Sequence, residues 1–186
     1  MKLPLALLLA CVLTGCASKP QVRLVGLSSL ARAPLALSVN SFECIDATQT
    51  GDAAFHLGTT MSPPPAVIVD QWAKDRFRAR GGDSRALLTI EDASISEAPA
   101  GAGNTFTSAS VKYTATISVT CAIVAGDGTS QGHVQAASAA SRVVPESLTV
   151  AEREKVWLCL TENALNQLDT MLESKIRTHL SGFVSS

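Results

Sequence analysis

The side chains that could do chemistry in this chain are three histidines, a pair of adjacent acids and a handful of thiols. His56, His133 and His179 would have to converge with carboxylates or thiols to catalyse or to hold a metal. The surrounding pattern puts them in a loop, at a strand start and on the exposed end of the last helix, so surface placement is expected. Glu91-Asp92, with Glu97 nearby, has the residue types of a hydrolytic pair. That work needs one carboxyl of raised pKa facing another across a cleft. Adjacent residues on a strand point to opposite faces, so solvated acids on a bulge or bend fit better. A buried acid there would look to Arg76 or Arg142 for an ion pair. Gly101-Ala102-Gly103 joins two strands, not a strand to a helix, and so lacks the helix terminus that phosphate loops exploit. It reads as a flexible loop. Ser28-Ser29 has no flanking glycines to make a nucleophile elbow. No catalytic set, cofactor site or metal site is expected from these residues.

Cys16 stands in a more telling context. Met1-Lys2 supplies a short positive start, and Leu3 to Leu13 form an apolar run. That run is about half of the roughly 20 residues a helix needs to span a bilayer, but it suits the core of an export signal. Leu13-Thr14-Gly15-Cys16 follows directly. It resembles the lipobox of bacterial lipoproteins: an aliphatic residue, two small residues and the cysteine. The resemblance implies cleavage before Cys16, a diacylglyceryl group on its thiol and acylation (palmitate or a similar chain) of the new amine. Durable membrane residence takes two or more chains, since one holds only marginally. The alternative is an ordinary cleavable signal with a chance cysteine near the cut. Ala17, where aspartate would signal retention, resembles an outer-membrane address. The expected location is therefore the periplasmic face of the outer membrane, with the inner membrane second.

Of the five cysteines, Cys11 leaves with the signal and Cys16 is acylated on this reading. Cys44, Cys121 and Cys159 remain in a compartment that permits disulfides. Being odd in number they allow at most one internal bridge, and their wide separations match no zinc spacing. Small buried residues, with or without one bridged pair, are expected. The formal net charge of −1 comes with no basic run, so nothing marks a nucleic-acid surface. Aromatics make up 4% of the chain, too few for a base- or sugar-stacking platform.

The elements that must position these residues follow from periodicity. Residues 1–15 read as signal peptide and 16–34 as lipidated cysteine and tether, leaving 35–186 for a single domain. Leu35, Leu37 and Val39 alternate as a strand, which resumes at Phe42, Cys44 and Ile45 after a phase shift. Ser62 and Pro63 predict a helix start, which Pro64 and Pro65 would delay. Val69, Trp72, Ala73, Arg76 and Phe77 carry the apolar face, and Gly81-Gly82 ends it. Arg85–Ser96 is a strand interrupted at Glu91-Asp92. Val111 to Ile123 is the clearest strand, apolar on one face and threonine-rich on the other, as a sheet covered on one side requires. Gly126-Asp127-Gly128 turns the chain. His133–Val144 returns with small residues against which something can pack closely. Thr149 and Glu152 have capping-box spacing. They open a long helix whose stripe runs through Trp157, Leu160, Ala164, Leu165, Leu168, Met171, Leu172, Ile176, Leu180 and Phe183.

The expected fold is α+β: a two-layer sandwich in the order β-α-β-β-β-α, its mainly antiparallel sheet carrying two helices on one face. In element order it resembles small envelope accessory domains. These are the amino-terminal domain of the Tol-system β-propeller protein, the lipopolysaccharide-assembly lipoprotein and the auxiliary lipoproteins of lipid-transport ABC systems. The tyrosine-leucine opening of the last group's first strand is missing here. The expected function is non-enzymatic binding, as an accessory to an envelope assembly, transport or integrity complex, with the bilayer and an envelope protein as partners. A carrier of a small amphiphile held between sheet and helices is the alternative. An enzyme using His133 or Glu91 comes third. Trp157, Leu180 and Phe183 either complete the core or offer a partner surface, and the wet sheet face and edge strands offer others.

Overall fold

A computed structural model describes residues 32–48, 60–101 and 109–185. The stretches read above as signal peptide, lipobox and most of the tether, with Ser28-Ser29, and also His56 and Ala102-Gly103, lie outside these residues. In chain order the elements are β1 (Leu35–Leu37), β2 (Ser41–Asp46), α1 (Pro65–Arg76), β3 (Phe77–Ala79), β4 (Arg85–Gly101), β5 (Ser110–Val124), β6 (Ser130–Pro145) and α2 (Val150–His179). A short 3-10 turn at Ser181–Phe183 follows. The fold is α+β, two helices lying on one face of a mixed sheet. Its four strands run in the order β2-β4-β5-β6, with β2 parallel to β4 and the rest antiparallel.

The alternation read in β5 sets the two faces. Val111, Tyr113, Ala115, Ile117, Val119, Cys121 and Ile123 are all buried. Register carries that face across neighbouring strands, so Leu88, Cys121 and Val134 share one row, and Ile90, Val119 and Ala136 the next. On β4 the buried residues Ile90 and Ile95 lie five apart, which a regular strand would send to opposite faces. A register shift between Ile90 and Asp92 restores them both to the core, and this is the bulge that Glu91-Asp92 marked. The strand continues beyond Ser96 to Gly101.

The small residues of β6 let α2 come close. Ser138 Oγ donates to the Ala164 carbonyl at 2.8 Å, and a Cβ on Gly132 would stand 2.8 Å from Leu180 Cδ2. The capping box at Thr149 and Glu152 is formed. The helix ends at His179, and Leu180 is its C-cap. Met171, expected in the apolar stripe, is 37% exposed. It directly precedes the buried Leu172, about 100° around the helix from it, and Leu168, Leu172 and Ile176 fill the contact without it.

Three expectations are corrected. The first helix begins at Pro65 with Pro64 as N-cap, because each proline disfavours helical geometry in the residue before it. It ends at Arg76, not at Gly81-Gly82. Phe77 is extended instead (φ −108°, ψ 138°) and opens β3, whose parallel pairing with β1 (Leu35↔Phe77) lay beyond reach of local periodicity. Phe77 stacks on Phe42 and meets Trp72 edge-on. The first strand is also divided, into β1 and β2. Partners on the two strand pairs shift from Leu35↔Phe77 to Ser41↔Arg85, so β3–β4 carries two extra residues over that stretch. Gly81-Gly82 lies in this excess. Gly82 has φ +138°, and a Cβ on it would sit 2.6 Å from the Ser38 carbonyl oxygen, so the crossing needs glycine.

Candidate functional site

The charged groups with the most defined geometry join the two helices to the point where the amino-terminal segment meets the fold. Arg76, the last residue of α1, has a side chain 4% exposed, and its partner Asp169 on α2 matches it. Arg76 Nε donates to Asp169 Oδ1 at 2.8 Å, and Nη2 donates to Glu173 Oε2 at 2.5 Å. Its third arm, Nη1, donates to the Ala33 carbonyl at 2.5 Å. One guanidinium thus holds α1, α2 and residues 32–34 together, using the planar fork that lysine lacks. Arg32 adds to the hold, reaching Asp169 Oδ2 at 3.3 Å, Glu173 at 3.8 Å and the Thr170 hydroxyl at 2.8 Å. Burial works against the charge of Glu173, but Arg177 and Arg76 outweigh it and hold the carboxyl below its ordinary range.

The carboxyl-terminal residues close the same end. Leu37 forms an antiparallel bridge with Val184. Ser38 N–H donates to the Phe183 carbonyl at 2.8 Å, and Ser185 N–H to that of Ala36 at 3.0 Å. β1 therefore lies between β3 and the chain end. An open groove of about 270 Å³ is lined there by Arg177, Ser181, Val184 and Ser185. Sequence reasoning passed over this cluster because its members are spread from 32 to 177.

The opposite sheet face carries the acid weighed for catalysis. Glu91 is exposed and accepts hydrogen bonds from Thr120 Oγ1 at 2.6 Å, Gln135 Nε2 at 2.7 Å and Ser118 Oγ at 3.2 Å. The Thr120 bond leads in holding its carboxyl below the usual value, and with the Gln135 and Ser118 bonds it outweighs the opposing effect of burial. A general acid needs the reverse shift. None of these bonds involves His133, which is exposed, as is His179. Asp92 forms no ion pair with Arg76, which is committed to α2. Among the described residues no three His, Cys, Asp or Glu side chains are grouped to hold a metal.

The remaining candidates sit as follows. Trp157 is 6% and Leu180 4% exposed, both within the hydrophobic cluster, and Phe183 packs partly buried against it. Trp157 meets Tyr113 edge-on at 5.6 Å. Cys44, Cys121 and Cys159 are free thiols: half-buried, buried and exposed respectively. Burial pushes the Cys121 thiol up to about 12, and burial together with Asp70 does the same to Cys44. Cys121, between the sheet and the helices where an amphiphile would sit, belongs to the buried cluster that the sheet shares with both helices. β6 forms one edge of the sheet, and Lys175 Nζ covers one of its carbonyls, that of Gln135, at 2.6 Å.

No protein-family model matches the chain, and no curated protein does. Among solved structures it is similar to rare lipoprotein B from Shewanella oneidensis, at 11% identity and a TM-score of 0.41, over 75% of this chain and 96% of that one. It is also similar to a minor lipoprotein from Acinetobacter baumannii, at 12% identity and a TM-score of 0.38, over 82% and 99%.

Proposed function

We propose that this chain is a membrane-anchored periplasmic lipoprotein, acylated at Cys16, that acts by binding as an accessory subunit of an envelope assembly, transport or integrity complex. The observation that carries the reading is the clamp on residues 32–34. A leash that begins at a lipidated Cys16 has to end on something rigid if the anchor is to position the domain. Here it ends on a buried guanidinium that also locks the two helices together. The sequence from Leu13 to Cys16 supports the anchor itself, and Ala17 favours the outer membrane over the inner. Glu91, engaged by hydroxyls and an amide, supports a binding role over hydrolysis. The threonine-rich face and the free parts of the β6 edge are the surfaces open to an envelope protein, by β-augmentation in the second case.

Affinity purification of the protein from mild-detergent envelopes, beside a Cys16→Ser form, tests this. A stoichiometric partner with the wild type, lost with Cys16→Ser, is the expected result. Absence of a partner in both preparations refutes the accessory role. Mass spectrometry of the mature amino terminus decides the acylation independently.

A further inference from the structure

We infer that the end of the domain where the tether leaves is a docking surface for the anionic bilayer that the anchor enters. The inference rests on the anchoring reading. Cys16 and Arg32 are sixteen residues apart in sequence. At about 3.3–3.6 Å per residue the chain between them can reach at most about 50–60 Å. The anchor therefore permits contact with the membrane without imposing it, and the surface near Arg32 decides whether the domain lies down.

That surface is basic. Arg78 on β3 pairs with Ala36 on β1, and Ala36 in turn binds the Ser185 amide. Ser185 lines the groove with Arg177. Strands lie about 4.8 Å apart, so Arg78, Ala36 and Ser185 span about 10 Å of one small sheet. Leu35 and Leu37 point into the core, and by alternation Ala36 points outward, with Arg78 beside it. Arg78 and Arg80 are exposed and have no carboxylate partner among the described residues. The Arg78 guanidinium donates only to the carbonyls of Lys74 and Phe77. Of the nearby carboxylates, Asp169 and Glu173 are already shared among Arg32, Arg76 and Arg177, and Asp75 accepts from Gln71 Nε2 at 2.9 Å. Excess positive charge therefore faces outward beside the leash, where an anionic headgroup layer complements it. A basic side chain near such a layer strengthens association by about fivefold.

The test uses the Cys16→Ser chain, so that acyl chains do not mask the effect, and phosphatidylcholine vesicles with or without about one-third phosphatidylglycerol. Any apolar contribution of the amino terminus is common to all samples. The expected result is tighter partition onto the anionic vesicles, reduced about fivefold by Arg80→Gln and about 25-fold by Arg78→Gln with Arg80→Gln. Raising the salt from about 0.1 M to 1 M should abolish the difference, since screening shortens from about 10 Å to 3 Å. Amide exchange should slow at 78–81 and 181–185 on the anionic vesicles alone. Equal partition onto both compositions, or an unchanged preference in Arg80→Gln and the double variant, overturns the inference. Lack of acylation at Cys16 in the native envelope would instead sink the anchoring reading and leave the partition data standing.

Discussion

Replacing Arg76 with methionine tests the clamp most directly. The substitution roughly keeps volume but removes the guanidinium that Asp169, Glu173 and the Ala33 carbonyl share. The Asp169 side chain is 4% exposed, so it cannot recover full hydration. Removing one partner of a buried pair costs about 3–5 kcal/mol, because an uncompensated charge is left inside. Arg32 reaches the other oxygen of Asp169 at 3.3 Å and limits the loss, which places the effect at the lower end. At about 2–4 °C per kcal/mol for a chain of this size, the melting temperature should fall by roughly 6–12 °C. Asp169→Asn should cost less, about 1–2 kcal/mol, since Arg76 keeps Glu173 and Ala33. Joining Arg76→Met with Asp169→Leu should recover at least half of the summed single losses, because a packed apolar pair removes both charges from the seam. Urea titration followed by tryptophan fluorescence is a suitable assay, since Trp72 and Trp157 lie buried on the two helices that the clamp joins. A loss below about 1 kcal/mol for Arg76→Met, or a double variant whose loss equals the sum of the singles, would refute the reasoning.

The held-down carboxyl of Glu173 makes stability fall with acid: its contribution is complete above the ordinary glutamate value of 4.5 and is lost as pH drops through the lower folded value. Urea midpoints between about pH 6 and pH 3 should decline less steeply in Glu173→Gln than in the wild type, and identical slopes would contradict the assignment. Gly82→Ala should destabilise by about 1–3 kcal/mol through strain at positive φ and contact with the Ser38 carbonyl. Gly81→Ala, which meets open space, should cost less, and a reversed order in thermal melts would be inconsistent with the crossing described. Thiol labelling under native conditions should modify Cys159 first, with Cys121 reacting only on unfolding because it is buried and its thiol is pushed up to about 12. Early labelling of Cys121 would mean that the core opens locally.

Much of this protein could be read from local pattern because the physics is local. The alternation through Val111 to Ile123 placed β5 and its two faces, since successive strand side chains must point opposite ways. Thr149 and Glu152 located the start of α2, since a capping box satisfies orphan amides within one turn. The polar pair at Glu91-Asp92 marked the bulge that keeps Ile90 and Ile95 on one face. Leu13-Thr14-Gly15-Cys16 resembles a lipobox on the strength of four adjacent residues, a reading that needs no fold.

Tertiary pairing decided the rest. Phe77 continues the helical spacing of Trp72 and Ala73, yet it is drawn into β3 because Leu35 and Phe42, far away in sequence, offer it a ladder and a stacking surface. The gain from burying an aromatic ring outweighs the small local preference for one more helical residue. Met171 matched the stripe but lies on the rim, because the width of a helix's buried face depends on what it packs against. The clamp was hidden for the same reason. Arg32, Asp169 and Glu173 look like ordinary solvated charges along the chain, and only the packing of α1 and of residues 32–34 against α2 brings Arg76 and Arg32 within reach of the two carboxylates. Short-range chemistry thus determined most of the strands and helices. The arrangement of charge around the tether is a property of the assembled fold.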